Sequence, residues 1–323
     1  MSFWSDRRIL LTGGGGFLGG FLKARLEKNN PAALFAPRAS ELDLRDQRAI
    51  RAFLEKNRPD LVLHAAAVVG GIGANRLHPG RFFYENAVMG IHLIEESRLA
   101  AVEKFVCLGT ICAYPKFAPI PFREEDLWNG YPEETNAPYG VAKKALLVQL
   151  QSYRQEYGFN GVFLLPVNLY GPRDNFDLET SHVIPAMIRK FIEARDRRDS
   201  EVVLWGDGTP TREFLYVEDA VEGILLATEH YNSGEPINLG RGEEISIAVL
   251  AATIAEHTRF HGRIVWDAEK PNGQPRRMLD VSRAAAAFGF KAPTSLHEGL
   301  RRTVEWFEGH ESRAAATPAL TGR

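Results

Sequence analysis

The chain is short of sulfur, of unbalanced charge and of long apolar runs, and each shortage closes off a class of protein. Its 323 residues include two cysteines, Cys107 and Cys112, too few for a disulfide-stapled fold. Without clustered histidines the two thiols do not make a metal site, so no metal is expected, and they fit a reducing cytoplasm. Lys and Arg number 39 against 41 Asp and Glu, a net charge of −2, so the basic excess that nucleic-acid binding needs is missing. No stretch approaches the ~20 apolar residues of a membrane span, and Asp6, Arg7 and Arg8 precede the first short apolar run. Neither membrane insertion nor export is expected. No internal repeat is visible. What is left, with 45% apolar residues, can bury a large core and is long enough for two domains.

The first feature present is a glycine turn. Arg8-Ile9-Leu10-Leu11 has strand character, Gly13, Gly16 and Gly19 follow three apart, and Phe17, Leu18, Phe21, Leu22 and Leu26 then recur at helical spacing. Strand, tight turn and helix in that order place amide groups where they favour a pyrophosphate. A second strand is expected at Ala33-Leu34-Phe35-Ala36, where NAD enzymes commonly carry a carboxylate for the ribose hydroxyls. None is there. Arg38 stands instead, about twenty residues past the turn, where a guanidinium suits a 2′-phosphate. NADP is therefore expected over NAD.

The second feature is Asn136-Ala-Pro-Tyr139-Gly-Val-Ala-Lys143. Asn136 and Pro138 are helix-start residues, and four residues separate Tyr139 from Lys143, which puts both on one helix face. Such a pair also describes a buried aromatic beside a solvated charge, and the glycine turn upstream decides between the readings. A cation beside a phenol is expected to lower its pKa from the usual ~10, which suits an acid for carbonyl reduction.

Strands and helices alternate along the chain, with further apolar strands at Leu61–Ala67, Phe105–Leu108 and Gly161–Val167. This is the pattern of an α/β doubly wound parallel sheet, the Rossmann fold, whose ligands lie beyond the carboxyl ends of the strands. The residues to inspect are therefore Thr110 and Cys112 after one strand and Asn168 after another. From Pro172 shorter elements broken by glycine and proline begin. The division expected is a nucleotide-binding domain over 1–171, with part of about 213–240 returning to it, a smaller C-terminal substrate domain over 172–310 and a loose tail over 311–323.

The glycine turn, Tyr139-x-x-x-Lys143 and a hydroxyl residue after a strand resemble the extended short-chain dehydrogenase/reductase family. His64-Ala-Ala-Ala-Val-Val-Gly-Gly-Ile-Gly-Ala-Asn75, Leu108-Gly-Thr-Ile-Cys-Ala-Tyr-Pro115, Asn168-Leu-Tyr-Gly-Pro-Arg-Asp-Asn-Phe176, Ser181-His-Val-Ile-Pro-Ala186 and Val203-Leu-Trp-Gly-Asp-Gly-Thr-Pro-Thr-Arg-Glu-Phe214 narrow the resemblance to the GDP-L-fucose synthase subfamily. It implies a homodimeric NADPH-dependent epimerase/reductase that exchanges protons at carbons 3 and 5 of GDP-4-keto-6-deoxy-D-mannose and reduces carbon 4, giving GDP-L-fucose. Cys112 and His182 match its proton-transfer pair, Thr110 stands where it has a serine, and Tyr139 and Lys143 match its acid and its ribose-holding lysine. The resemblance also implies cofactor contacts at Phe17, Leu18, Asp43, Leu44, Ala65, Ala66, Asn168 and His182. Substrate contacts fall at Asn168, Lys190, Trp205, Arg212 and Arg277. The chain departs from the pattern in having Lys190 for arginine, Asn272 for aspartate and no arginine in the glycine turn.

Local chemistry adds finer expectations. Thr180 and Ser181 are expected to cap the helix after His182, and Asp219 the helix from Ala220 to Ala227. Trp205 either stacks on substrate or belongs to the core, and Thr110 and Asn168 are residue types that often bond turn backbone. Three other functions stay open: action on another GDP-4-keto sugar, a dideoxy-hexose or heptose; a redox-neutral NAD-dependent nucleotide-sugar epimerase or dehydratase; and a non-catalytic NADP-sensing protein.

Overall fold

A computed structural model describes residues 3–270 and 272–316. The first half alternates as the sequence pattern predicts: β1 (Arg8–Thr12), α1 (Phe17–Lys28), β2 (Ala33–Phe35), α2 (Gln47–Asn57), β3 (Leu61–His64), α3 (Ile72–Leu77), α4 (Pro79–Leu99), β4 (Lys104–Leu108), α5 (Ala137–Tyr157) and β5 (Gly161–Pro166). Then come β6 (Asn168–Tyr170), α6 (Val183–Arg197), β7 (Glu201–Trp205), β8 (Thr211–Tyr216), α7 (Val217–His230), β9 (Ile237–Leu239) and β10 (Glu244–Ser246). The chain closes with α8 (Ile247–Thr258), β11 (Arg263–Asp267), β12 (Arg276–Arg277), α9 (Ser282–Phe288) and α10 (Leu296–Ala316).

The main sheet has the order β2-β1-β3-β4-β5-β9 and every pairing in it is parallel. One helix layer is built from α2, α4 and α5 and the other from α1, α7 and α9. Strands covered on both faces must be apolar along their whole length, and β3, β4 and β5 are buried at every position. Chain order reverses between β1 and β3, the place where doubly wound sheets open a crevice beyond their strand ends.

A second apolar core lies around α6, α8 and α10, with Phe191, Ile188, Leu250, Ile254, Phe214 and Leu300 buried in it. The sheet of order β10-β8-β12 adjoins it, and β7 pairs with β11. β6 pairs with β8 rather than with the main sheet, so backbone pairing changes sheet at Asn168, immediately after β5. β9 returns to the main sheet beside β5.

Three local expectations are corrected. His182, rather than Thr180 or Ser181, is the N-cap residue of α6, and it makes no side-chain cap bond; the Ser181 hydroxyl is buried without a partner. Helix α7 begins at Val217, so Asp219 sits inside its first turn. There its carboxylate accepts from the Thr294 N–H and hydroxyl, both at 2.9 Å; a tertiary partner has outcompeted local capping. Residues 311–316 of the expected tail continue α10, as the strong helix propensity of Ala314-Ala315-Ala316 favours; 317–323 lie outside the described residues. Among the described residues no helix is long and apolar enough to cross a membrane.

Candidate active site

A cavity of about 980 Å³ opens beyond the carboxyl ends of β1, β3, β4 and β5. Its floor is the glycine turn. Gly13 has φ +75°, and a Cβ there would stand 2.7 Å from the Ala66 nitrogen, so only glycine lets β1 turn this close to the segment after β3. Thr12 ties the two strands together: its Oγ1 lies 2.8 Å from His64 Nδ1 and accepts from the Ala66 N–H at 3.3 Å. Helix α1 starts at Phe17 with no side-chain cap and no acidic residue in its first turn, so its free amides are left for an anion. Gly16, Phe17, Leu18, Gly19, Arg38, Asp43, Leu44, Ala65 and Ala66 all line the cavity with Gly13. Asp43 is engaged by its neighbour Arg45, whose hydrogen bonds hold its pKa down at about 2.

The opposite wall gathers Thr110, Cys112, Tyr139, Lys143, Asn168 and His182. Thr110 caps a single 3₁₀ turn, Ile111–Ala113, its oxygen accepting from the Cys112 N–H at 3.1 Å. That bond leaves the hydroxyl hydrogen free to donate. Helix α5 reaches this turn through Gly140, where an added Cβ would overlap the Cys112 carbonyl oxygen and lie 3.0 Å from its carbon. The glycine is what allows Tyr139 to approach Thr110 and Cys112. Asn168 bonds strand rather than turn backbone, donating to the Glu213 carbonyl within β8 at 2.9 Å.

Lys143 is 1% exposed and, among the described residues, its ammonium has no hydrogen-bond or ion-pair partner. Burial lowers its pKa, and its charge is felt by two neighbours at the ends of β3 and β4. His64 is held well below the usual imidazole range, first by burial and then by Lys143. The Cys107 thiol is pushed up to about 11 by burial, which Lys143 only partly offsets.

Tyr139 corrects the expected direction. Its phenol is pushed upward, first by burial and then by the charges of Cys112 and Cys107, with the Thr110 hydroxyl acting the other way. The Lys143 ammonium is 6.0 Å from the centre of the tyrosine ring, and desolvation outweighs it. The phenol is thus a neutral proton donor rather than a phenolate. His182 lines the cavity while remaining exposed to it; desolvation lowers its pKa, which favours the neutral imidazole that can accept a proton.

The other candidate residues stand apart from the cavity wall. Lys190 on α6 is half-buried, its pKa lowered by burial, with Nζ 3.5 Å from the Val203 carbonyl. Trp205 is 61% exposed at the end of β7, outside the core, with Lys270 Nζ 5.9 Å from its ring. Asn272 accepts from the Asp207 N–H at 2.9 Å nearby. Arg212 and Arg277 are neighbours across the β8–β12 pairing and flank Cys112 from outside the cavity.

Asp174, Asn175 and Thr180 are among the cavity residues given no site role from the sequence. Asp174 stands out, because its Oδ2 is buried without a partner and burial pushes its pKa up to about 7. It follows β6 in the segment that carries the resemblance, but nothing in residue type marks a loop aspartate as desolvated.

The residues test well for a nicotinamide dinucleotide. A buried unpartnered ammonium, free helix amides and a glycine crevice are a donor set in want of phosphate and hydroxyl oxygens. Comparison with known proteins agrees. The model of the NAD dependent epimerase/dehydratase family matches residues 9–240. A GDP-L-fucose synthase of Sinorhizobium fredii is 43% identical over 307 residues, 95% of this chain and 97% of that one. Among solved structures, a GDP-6-OMe-4-keto-L-xylo-heptose reductase from C. jejuni superposes with a TM-score of 0.90 at 26% identity, covering 96% of this chain and all of that one. A GDP-L-fucose synthetase from Naegleria fowleri bound to NADP gives 0.87 at 28% identity, with 97% of each chain covered.

Proposed function

The chain belongs to the NAD dependent epimerase/dehydratase family, in its GDP-L-fucose synthase branch, and from that premise we propose that it converts GDP-4-keto-6-deoxy-D-mannose to GDP-L-fucose with NADPH. The observation that carries this reading is the convergence of Cys112, His182, Tyr139 and Thr110 on one cavity with a dinucleotide-type glycine crevice. Reduction alone needs an acid and a cofactor; a thiol and a neutral imidazole beside them answer the second requirement, proton exchange on both sides of a ketone.

In this reading the Gly13–Gly19 turn and the α1 amides hold the pyrophosphate of NADPH, Arg38 meets its 2′-phosphate, and Lys143 takes its ribose hydroxyls. When bound, the cofactor supplies a hydride to carbon 4. Thr110 and Tyr139 donate hydrogen bonds to the carbon 4 oxygen, which makes the protons on carbons 3 and 5 acidic by stabilising an enolate. Cys112 and His182 take and return those protons, one serving each face of the ring. Tyr139, kept neutral by burial, then gives its proton to the alkoxide. Two residues near the outer rim, Trp205 and Lys190, join Arg212 in receiving the GDP moiety. The same reading makes the protein a cytoplasmic homodimer; Phe83, Tyr84 and Ile91 on α4 and Val148 on α5 are exposed apolar side chains that support such pairing, and sedimentation would test it.

The test is turnover of GDP-4-keto-6-deoxy-D-mannose with NADPH, followed by absorbance, with the product identified by NMR. Tyr139→Phe removes only the hydroxyl, so reduction should collapse while NADPH binding is retained. Near-normal turnover in that variant would remove Tyr139 as the acid. Similarity to a heptose reductase favours one second reading, a GDP-4-keto heptose as substrate, and the same assay with that sugar separates the two.

A further inference from the structure

Cys112 and Arg277 are 165 positions apart in the chain, yet Arg277 Nη1 lies 3.6 Å from Cys112 Sγ. The arginine is 9% exposed and braced from behind: its Nε donates to Gln274 Oε1 at 2.7 Å, and Gln274 Nε2 donates to the Lys116 carbonyl at 2.7 Å. Parallel pairing of β12 with β8 sets it beside Arg212. Arg212 is itself pushed down to about 10, first by burial and then by repulsion from Arg277, while Cys112 and Glu133 act in the opposite sense. Among the described residues neither guanidinium has a carboxylate within ion-pairing distance. Glu133, the nearest acidic influence, bonds Thr135 and Asn136. One buried guanidinium therefore touches the sulfur, with a second beside it in the β8–β12 pairing, and that sulfur is the group Arg277 touches on its cavity side.

We propose that Arg277 is a positioning residue for Cys112: its guanidinium is the counter-charge of the deprotonated sulfur and aims it into the cavity. This rests on the reading of Cys112 as a proton-transfer group. In the step served, the thiolate takes a proton from the carbon beside the ketone on one face, the C–H electron pair moves into the enolate, and protonated His182 returns a proton to that carbon on the opposite face. An N–H donor pointed at sulfur holds it in place and meets the negative charge it carries once its proton has left. The proposal departs from the substrate contact that the resemblance implies for Arg277, whose Nε and Nη1 are engaged by Gln274 and Cys112.

The experiment is alkylation of Cys112 by iodoacetamide in the substrate-free protein, read by peptide mass spectrometry, with fully buried Cys107 as an internal control. Arg277→Met and Arg277→Gln remove the charge with different shapes, so one folded variant suffices, and retained NADPH binding identifies it. Each should alkylate about tenfold more slowly than wild type, since a charge-assisted contact to the thiolate is lost. With substrate, deuterium exchange at saturation should fall by a similar factor of about ten while KM stays within about twofold. A wild-type alkylation rate in either folded variant overturns the proposal, and so does a raised KM with unchanged exchange, which would return Arg277 to substrate binding. Alkylation needs no sugar nucleotide, so it judges Arg277 whether or not the proposed substrate is turned over.

Discussion

Replacing Lys143 with methionine should make the cofactor-free protein more stable and the cofactor nearly useless to it. The side chain is 1% exposed, its ammonium has no hydrogen-bond or ion-pair partner among the described residues, and burial lowers its pKa. A charge in that position opposes folding, because its hydration is lost and nothing in the protein replaces it. Methionine keeps an unbranched stem of similar volume and discards the charge. Even paired buried charges can be exchanged for apolar groups of similar volume with an effect that is often neutral or stabilising by about 1–4 kcal/mol, and an unpaired charge has less to lose. A chain of this size gains about 2–4 °C in Tm per kcal/mol, so a rise of several degrees is expected. The wild type, in turn, should gain stability when NADPH binds, by about 2.7 kcal/mol at a hundred times Kd. Lys143→Met should lose most of that gain. Thermal unfolding of both proteins, with and without NADPH, reads all four states. If the variant is less stable than wild type without cofactor, Lys143 has an internal partner; if it keeps the full NADPH shift, the lysine does not hold the cofactor.

Arg38→Ala should weaken NADPH far more than NADH, by about 1.5–3 kcal/mol for a lost charged contact, in fluorescence titrations; equal losses for both would separate Arg38 from the 2′-phosphate. Gly140→Ala forces α5 off the Thr110–Cys112 turn, and a shift of about 1 Å there should cost roughly a hundredfold in turnover with circular dichroism unchanged; full activity would show that the approach of the helix is not needed. Asp174, raised to about 7 by burial, contributes stability that is full at acid pH and lost as pH rises through that value. Asp174→Asn should therefore be increasingly more stable than wild type from about pH 4 to pH 8, by up to about 4 kcal/mol, in urea unfolding; a difference independent of pH would contradict it.

Much of this site is local in the chain and so was legible there. The glycine turn is a strand, three glycines and a helix within one short stretch, and Tyr139 and Lys143 share a face by helical geometry alone. Cys112 and His182 were legible only through resemblance, since neither residue type announces proton transfer by itself. What escaped depends on neighbours distant in sequence. Tyr139 was expected to be lowered by its lysine, but the wall of cavity and strand ends that desolvates both residues comes from β3, β4 and the turn after β4. Asp219 fits the pattern of a helix cap until Thr294 is brought to it by the last part of the fold. The contact of Arg277 with Cys112 exists because β12 pairs with β8, a register no local pattern encodes.

The account turns on one claim, that a single cavity both exchanges protons beside the ketone and reduces it. The direct measurement is to run the reaction in heavy water with GDP-4-keto-6-deoxy-D-mannose and unlabelled NADPH, and to locate deuterium in the product by NMR. Wild type should deliver a product deuterated at carbons 3 and 5 and protonated at carbon 4, and Cys112→Ser should suppress the exchange while leaving NADPH binding intact. Oxidation of NADPH with both neighbouring carbons still protonated would identify a simple ketoreductase and contradict the role given to Cys112 and His182.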